Sequence, residues 1–172
     1  PKEFFLLMEK LSRSIIQYLN MQIDAGVDCV QIFDSWASIC TPSNYHSLSL
    51  QWIKTIITGL KKPIPVILYA KGMNHCLKEQ LKTGAQILSL DWTISLNNAS
   101  AETNNQCALQ GNLDPEFLTT DSSTVVEEAE RILKMSESLK GYIFNLGHGM
   151  LPTAKIECVE TLIETVTNYR NG

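Results

Sequence analysis

Apolar positions along the chain alternate between two periods. Leu7, Leu11, Ile15 and Leu19 return every four residues, with Lys10, Arg13 and Gln17 between them. That spacing predicts a long amphipathic helix, which Gly26 ends. The next apolar run, Cys29-Val30-Gln31-Ile32-Phe33, is short and contains β-branched residues, and it reads as a buried strand closed by polar Asp34 and Ser35. Thr41-Pro42-Ser43 then predicts a helix start, because proline fits the first helical turn, and that helix runs to about Leu60.

The same alternation repeats four more times. A strand over 65–69 is followed by Lys71-Gly72, and a helix over 75–82 ends at Gly84. A strand over 87–90 is followed by Asp91-Trp92-Thr93 and a weaker helix over 96–102. A strand over 107–110 leads into Gly111-Asn112-Leu113-Asp114-Pro115. Thr124 and Glu127 fit a capping box that opens a helix to about Leu139. A strand over 142–145 is followed by Leu146-Gly147-His148-Gly149, and a last helix covers 156–169. Short strands alternating with helices pair in parallel, because each helix is a crossover. Two architectures satisfy this: an open doubly wound sheet, or a segment of a (β/α)₈ barrel. A barrel needs eight strands and about 250 residues, so the second reading places three strands upstream of this chain. No linker, repeat or low-complexity stretch divides residues 1–172, which read as a single domain.

Composition narrows the function. The 172 residues are 44% hydrophobic and 19% charged, enough for a sizeable core, and no apolar stretch is long enough to span a membrane. The net charge of −4 and the absence of a basic run argue against nucleic acid as a partner. Cys29, Cys40, Cys76, Cys107 and Cys158 are scattered and form no C-x-x-C pair, which predicts neither a disulfide framework nor a zinc site and fits a reducing, cytosolic setting. No secretory signal is recognisable. The sequence starts at Pro1 and moves directly into a helical pattern, as the middle of a longer protein would.

The polar residues cluster just after each strand: Asp34-Ser35, Lys71, Asp91-Thr93, Asn112-Asp114 and Asn145-His148. In parallel α/β folds the carboxyl ends of the strands share one face, and active sites are built there. Each group also has a structural reading. Asp34 and Asp91 either face a ligand or accept backbone N–H bonds at strand ends. Asp114, before Pro115, reads as a helix cap rather than a catalytic acid. Lys71 is either a rim contact or a solvated loop residue. His148 lies between Gly147 and Gly149, which let the backbone bend sharply or approach a ligand closely. His46 and His75 read as surface residues on helices, and Arg13, Arg131 and Arg170 as helical residues far from the rim. No G-x-G-x-x-G follows a strand, and neither a P-loop nor a G-x-S-x-G elbow is present. His75 and Cys76 are adjacent and diverge on a helix, so they do not clasp a metal.

Four segments carry a family resemblance: Gln31 through Ala37 (QIFDSWA), Gly84-Ala85 through Leu90-Asp91-Trp92-Thr93, Leu109 through Pro115 (LQGNLDP), and Phe144 through Gly149 (FNLGHG) with Pro152 and Glu157 beyond it. In this order and spacing they resemble the C-terminal portion of uroporphyrinogen decarboxylase, over nearly the whole chain. The resemblance implies a (β/α)₈ barrel, of which this chain supplies about the last five βα units, rather than a doubly wound sheet. It implies a homodimeric, cytoplasmic enzyme of haem biosynthesis. That enzyme removes CO₂ from the four acetate side chains of uroporphyrinogen III to give coproporphyrinogen III, with no cofactor or metal. It implies that Ser35 and His148 contact substrate, as hydroxyl and imidazole donors to carboxylate oxygens. Asp34, Lys71, Asp91, Asn112, Asn145 and Gly147 are further rim candidates. The family's central carboxylate, its Arg-x-x-x-Arg loop and a tyrosine are expected upstream, so no catalytic residue is expected in this chain. No Arg-x-x-x-Arg occurs in it.

The chain departs from the family pattern at several points. Ser38 stands where glycine is usual and would be strained if that loop needed φ > 0. Ser100 replaces a frequent arginine, Ala154-Lys155 replaces Thr-Pro, and Asn97-Asn98 and Asn104-Asn105 replace more charged helix positions. Two rival readings remain. A cobalamin-dependent methyltransferase of the same superfamily would need His-x-Cys zinc ligands where this chain has Tyr69-Ala70-Lys71. A truncated remnant would keep the fold signature without the chemistry, and its open strand edges would make it marginal alone.

Overall fold

A computed structural model describes residues 2–169. Six α-helices and five strands alternate: α1 (Lys2–Asp24), β1 (Val30–Asp34), α2 (Gln51–Thr58), β2 (Val66–Ala70), α3 (Leu77–Leu81), β3 (Ile87–Ser89), α4 (Leu96–Glu102), β4 (Ala108–Gln110), α5 (Ser122–Ser136), β5 (Tyr142–Ile143) and α6 (Ile156–Asn168). The strand order follows the sequence, β1-β2-β3-β4-β5. Pairing is parallel, with Val30 opposite Val66 and Leu109 opposite Tyr142. The chain contains two compact units, one ending at Leu88 and the other starting at Ser89.

In the first unit every residue of β2 is buried, as a run of Val, Ile, Leu, Tyr and Ala flanked on both faces requires. β1 is not buried throughout, as its apolar run predicted. Val30 and Ile32 point inward, but Phe33 is 65% exposed and meets Tyr69 edge-on, with ring centroids 6.0 Å apart. The amphipathic helix forms, yet of the predicted stripe only Leu19 faces inward. Ser12, Leu19 and Ile23 are buried, and Ile16 fits against Gly59, where a Cβ would lie 2.6 Å from the Ile16 Cδ1. Leu7, Leu11 and Ile15 lie on exposed positions. Four-residue spacing identifies a helix, but the neighbouring helix decides which stripe it covers. Thr41-Pro42-Ser43 opens the helical stretch as predicted, the Thr41 carbonyl accepting from the Tyr45 N–H at 2.9 Å. The Asn44 Oδ1 accepts from the Thr41 N–H at 2.8 Å, and one π-helical turn, His46–Leu50, precedes α2.

Tyr45 packs with Ala37, Leu50, Ala70, Met73 and Cys76 in a small apolar cluster, with Cys40 against it. Its hydroxyl is buried without a hydrogen-bond partner. Burial, with Asp34, Cys76 and Cys40 nearby, holds its pKa far above the usual phenol value. An unsatisfied buried hydroxyl opposes folding, so Tyr45→Phe is expected to raise stability by about 1 kcal/mol. Urea unfolding checks this, and a lower midpoint in the variant would show that the hydroxyl is bonded in solution.

In the second unit α5 starts three residues earlier than the capping box predicted. Asp121, not Thr124, is the N-cap, and its carboxylate accepts from the Thr124 N–H at 3.0 Å and the Ser123 hydroxyl at 2.5 Å. These bonds lower the Asp121 pKa to about 2. Asn104 and Asn105 lie beyond the end of α4, not on it as the sequence reading had it, with φ of 52° and 51°. Asparagine tolerates this left-handed region better than most residues, and the Asn105 Oδ1 also accepts from the Lys140 N–H at 3.1 Å. Lys155 occupies the N-cap of α6, and its ammonium donates to the Thr120 carbonyl.

Candidate active site

In the first unit the candidate residues lie in the loops after β1 and β2. The Asp34 carboxylate accepts from the Ser49 hydroxyl at 2.5 Å, and its carbonyl accepts from the Lys71 N–H at 3.2 Å. Burial pushes the Asp34 pKa up, and the Ser49 bond partly offsets this. The side chain of Asp34 is therefore turned to the protein, with Ser49 as a partner that no sequence motif marked. Ser35 follows as an exposed residue, beside Trp36 at 76% exposure. Ser38 lies in a 3₁₀ turn, Ala37–Ile39, and Asn104 and Asn105 alone among the described non-glycine residues have positive φ. The strain considered for Ser38 is therefore absent, and the loop carrying Ser35 closes without a glycine there. Lys71 is half-buried, and His46 and His75 are exposed.

In the second unit they lie in the loops after β3, β4 and β5. Asp91 is buried, and its Oδ1 accepts from the Thr93 N–H at 3.0 Å and the Thr93 hydroxyl at 2.5 Å, which is the strand-end role the sequence allowed for it. Asn112 is buried too, and its Nδ2 donates to the carbonyls of Asp91 at 2.9 Å and Ile94 at 2.6 Å. Both amide hydrogens serve the Asp91 loop. Asp114 caps the 3₁₀ helix Pro115–Thr119 through the Glu116 N–H, as its position before proline predicted. The exposed Asn145 folds its Oδ1 back on the Leu146 N–H at 2.9 Å.

Gly147 is buried and its N–H donates to the Leu113 carbonyl at 2.7 Å. A Cβ at this position would lie 2.7 Å from the Trp92 N and 3.2 Å from the Asp91 carbonyl carbon. The close approach at Gly147 is thus to the Trp92 turn of the protein itself. Nothing lies within 4 Å of a Cβ at Gly149. His148 is exposed immediately beyond this contact. Arg131 is not remote from the loops, as its helical position suggested. It shares a cavity of about 370 Å³ with Thr93, Asn112, Asp114 and Phe117, and its guanidinium is held by Glu128 at 2.6 Å. α5 lies beside the segment after β4, and sequence spacing carries no signal of that. Arg170 lies outside the described residues. No group of three or more His, Cys, Asp or Glu side chains could hold a metal among the described residues, and no helix there is long and apolar enough to cross a membrane.

The family model for uroporphyrinogen decarboxylase matches residues 1–169. The chain belongs to the uroporphyrinogen decarboxylase family. It is similar to curated uroporphyrinogen decarboxylases of several bacteria. It is 38% identical over 172 residues to that of Hydrogenovibrio crunogenus, covering 97% of this chain and 49% of the relative. It is 39% identical to that of Ruthia magnifica, covering 98% and 50%, and 40% identical to that of Saccharophagus degradans, covering 96% and 48%. The chain thus spans about half the length of the curated relatives it matches. A methyltransferase from Methanosarcina mazei is similar in structure, with a TM-score of 0.77 over 90% of this chain and 46% of the other, at 19% identity. That likeness shows a shared fold. Uroporphyrinogen decarboxylases are (β/α)₈ barrels, so the five parallel strands form part of a barrel, and the doubly wound alternative falls away.

Proposed function

We propose that this chain serves a uroporphyrinogen decarboxylase, a cofactor-independent carboxy-lyase that converts the four acetate side chains of uroporphyrinogen to methyl groups. The observation that carries the reading is the family match over residues 1–169, in which the Ser35 and His148 motifs lie. Loss of CO₂ from an acetate arm leaves an electron pair that needs a sink. Protonation of the pyrrole ring provides it, and a carboxylate facing the pyrrole N–H groups stabilises the positive charge. Exposed Ser35 and His148 fit the other task, donating hydrogen bonds to the carboxylates that hold the substrate in place. A homodimeric assembly and a cytoplasmic location belong to this reading through the family, as does the absence of metal.

The methyltransferase alternative has less support. Tyr69 and Ala70 are buried strand residues, and Lys71 is no zinc ligand.

Two assays on anaerobically reduced uroporphyrinogen test the proposal, with porphyrin products separated by chromatography. The 172-residue chain alone is expected to release no coproporphyrinogen, because no Arg-x-x-x-Arg clamp for an octa-anionic substrate occurs in it. A chimera with this chain in place of the matching half of the Hydrogenovibrio crunogenus decarboxylase is expected to turn over, and to lose affinity on His148→Gln. A folded chimera without activity overturns the reading, and turnover by the chain alone overturns the division of labour.

A further inference from the structure

Gly147, the residue before His148, packs against a turn that a side chain from a different loop closes. Asn112 is 6% exposed, and its Nδ2 donates to the carbonyls of Asp91 and Ile94. These two carbonyls bracket Trp92 and Thr93, so one amide closes the turn across its base. Asp91 closes the same turn from within through both Thr93 donors. The turn then presents the Trp92 backbone nitrogen and indole to Gly147, so closely that no Cβ fits, with 3.0 Å to the indole Cε3. On the other side, the Gly147 N–H is bonded to the carbonyl of Leu113, the residue next to Asn112. His148 therefore follows a glycine gripped on two sides, by the turn that Asn112 closes and by the carbonyl of the residue next to Asn112.

We propose that Asn112 is a positioning residue for His148: it fixes the Trp92 turn against Gly147 and so sets where the imidazole stands. This rests on the reading of His148 as a substrate contact. Asn112 itself is no substrate donor, since both of its amide hydrogens are spent on carbonyls inside the protein. Replacing it with aspartate keeps the shape, removes both donors and sets a carboxylate against two carbonyl oxygens. The turn over Gly147 is then closed only from within, by the Asp91–Thr93 bonds.

The test is an NMR comparison on the 172-residue chain with ¹³C-labelled histidine, His148 being assigned by His148→Gln. In Asn112→Asp the His148 imidazole and Trp92 indole signals are expected to shift together. His46 and His75, in the other unit, stay where they were. Asn112→Ala removes the donors without adding charge and is expected to move the same two signals. Gly147→Ala, which pushes the Trp92 turn away from the opposite side, moves them too. If Asn112→Asp does not fold, the alanine variant decides. A His148 signal unmoved in a folded Asn112→Ala or Asn112→Asp chain overturns the proposal and leaves the decarboxylase reading standing. In the active chimera, Asn112→Ala is expected to raise KM more than it lowers kcat. An inactive chimera with the NMR shifts intact would remove the decarboxylase reading and keep the positioning.

Discussion

Replacing Gly111 with alanine is expected to cost about 2–5 kcal/mol, from backbone strain and steric overlap together. Gly111 has φ of +126°, a conformation closed to residues with a side chain. A Cβ there would lie 2.8 Å from the Leu90 carbonyl oxygen. That oxygen belongs to the backbone and cannot swing aside like the end of a flexible side chain. Leu90 is itself fixed, since its N–H donates to the Gln110 carbonyl at 2.8 Å. Gly111 is held as well, by its N–H on the Ile143 carbonyl at 3.0 Å and by the Tyr142 hydroxyl on its own carbonyl. Relief of the overlap therefore breaks a bond on one side or the other. Urea unfolding followed by the fluorescence of Trp92, with Trp36 and Trp52 replaced by phenylalanine, measures the loss. A decrease below about 1 kcal/mol would show that the backbone here relaxes freely.

A loss of similar size, about 2–5 kcal/mol, is expected for Leu68→Ala. Leu68 is wholly buried in the middle of β2, opposite Ile32 of β1. Truncation removes apolar surface from the core and leaves a cavity that a strand paired along its length cannot close. Phe33→Ala, one residue further along β1, is the contrast. Phe33 is larger but 65% exposed, and its loss should stay within about 0.5 kcal/mol. Denaturation midpoints for the two variants check the pair, and equal losses would mean that Phe33 is covered in solution.

How far the sequence was legible depends on the range of the interaction. The five strands fell where short apolar runs placed them, and α4 took the predicted residues, because these elements follow from local pattern. The N-terminus of α5 was misplaced because Asp121 and Thr124 both fit a cap, and the carboxylate wins by taking several nearby donors at once. The face of α1 was misplaced because Ser12 and Ile16 turn inward only once α2 is beside them. The site shows the same division. Polar residues after the strands lie in loops, as the pattern placed them, and the glycine pair allowed a sharp bend or a close approach without saying to what. The roles inside those loops were not readable. Asn112 spends its donors on carbonyls about twenty residues earlier, Ser49 reaches Asp34 from a π-helical turn that no propensity announces, and Arg131 meets the loop after β4 through the packing of α5.

The strand order also bears on how a cell makes this chain. Each strand pairs with one that follows or precedes it directly in the sequence, so a nascent chain emerging from the ribosome has a docking edge ready when the next strand appears. β1 meets β2, and β4 meets β5, across a single crossover each. Loop closure over such short spans costs little entropy, and synthesis at about 5–20 residues per second is slow beside the formation of a single turn of helix. The described strands can therefore pair with their sequence neighbours in the order in which they are translated.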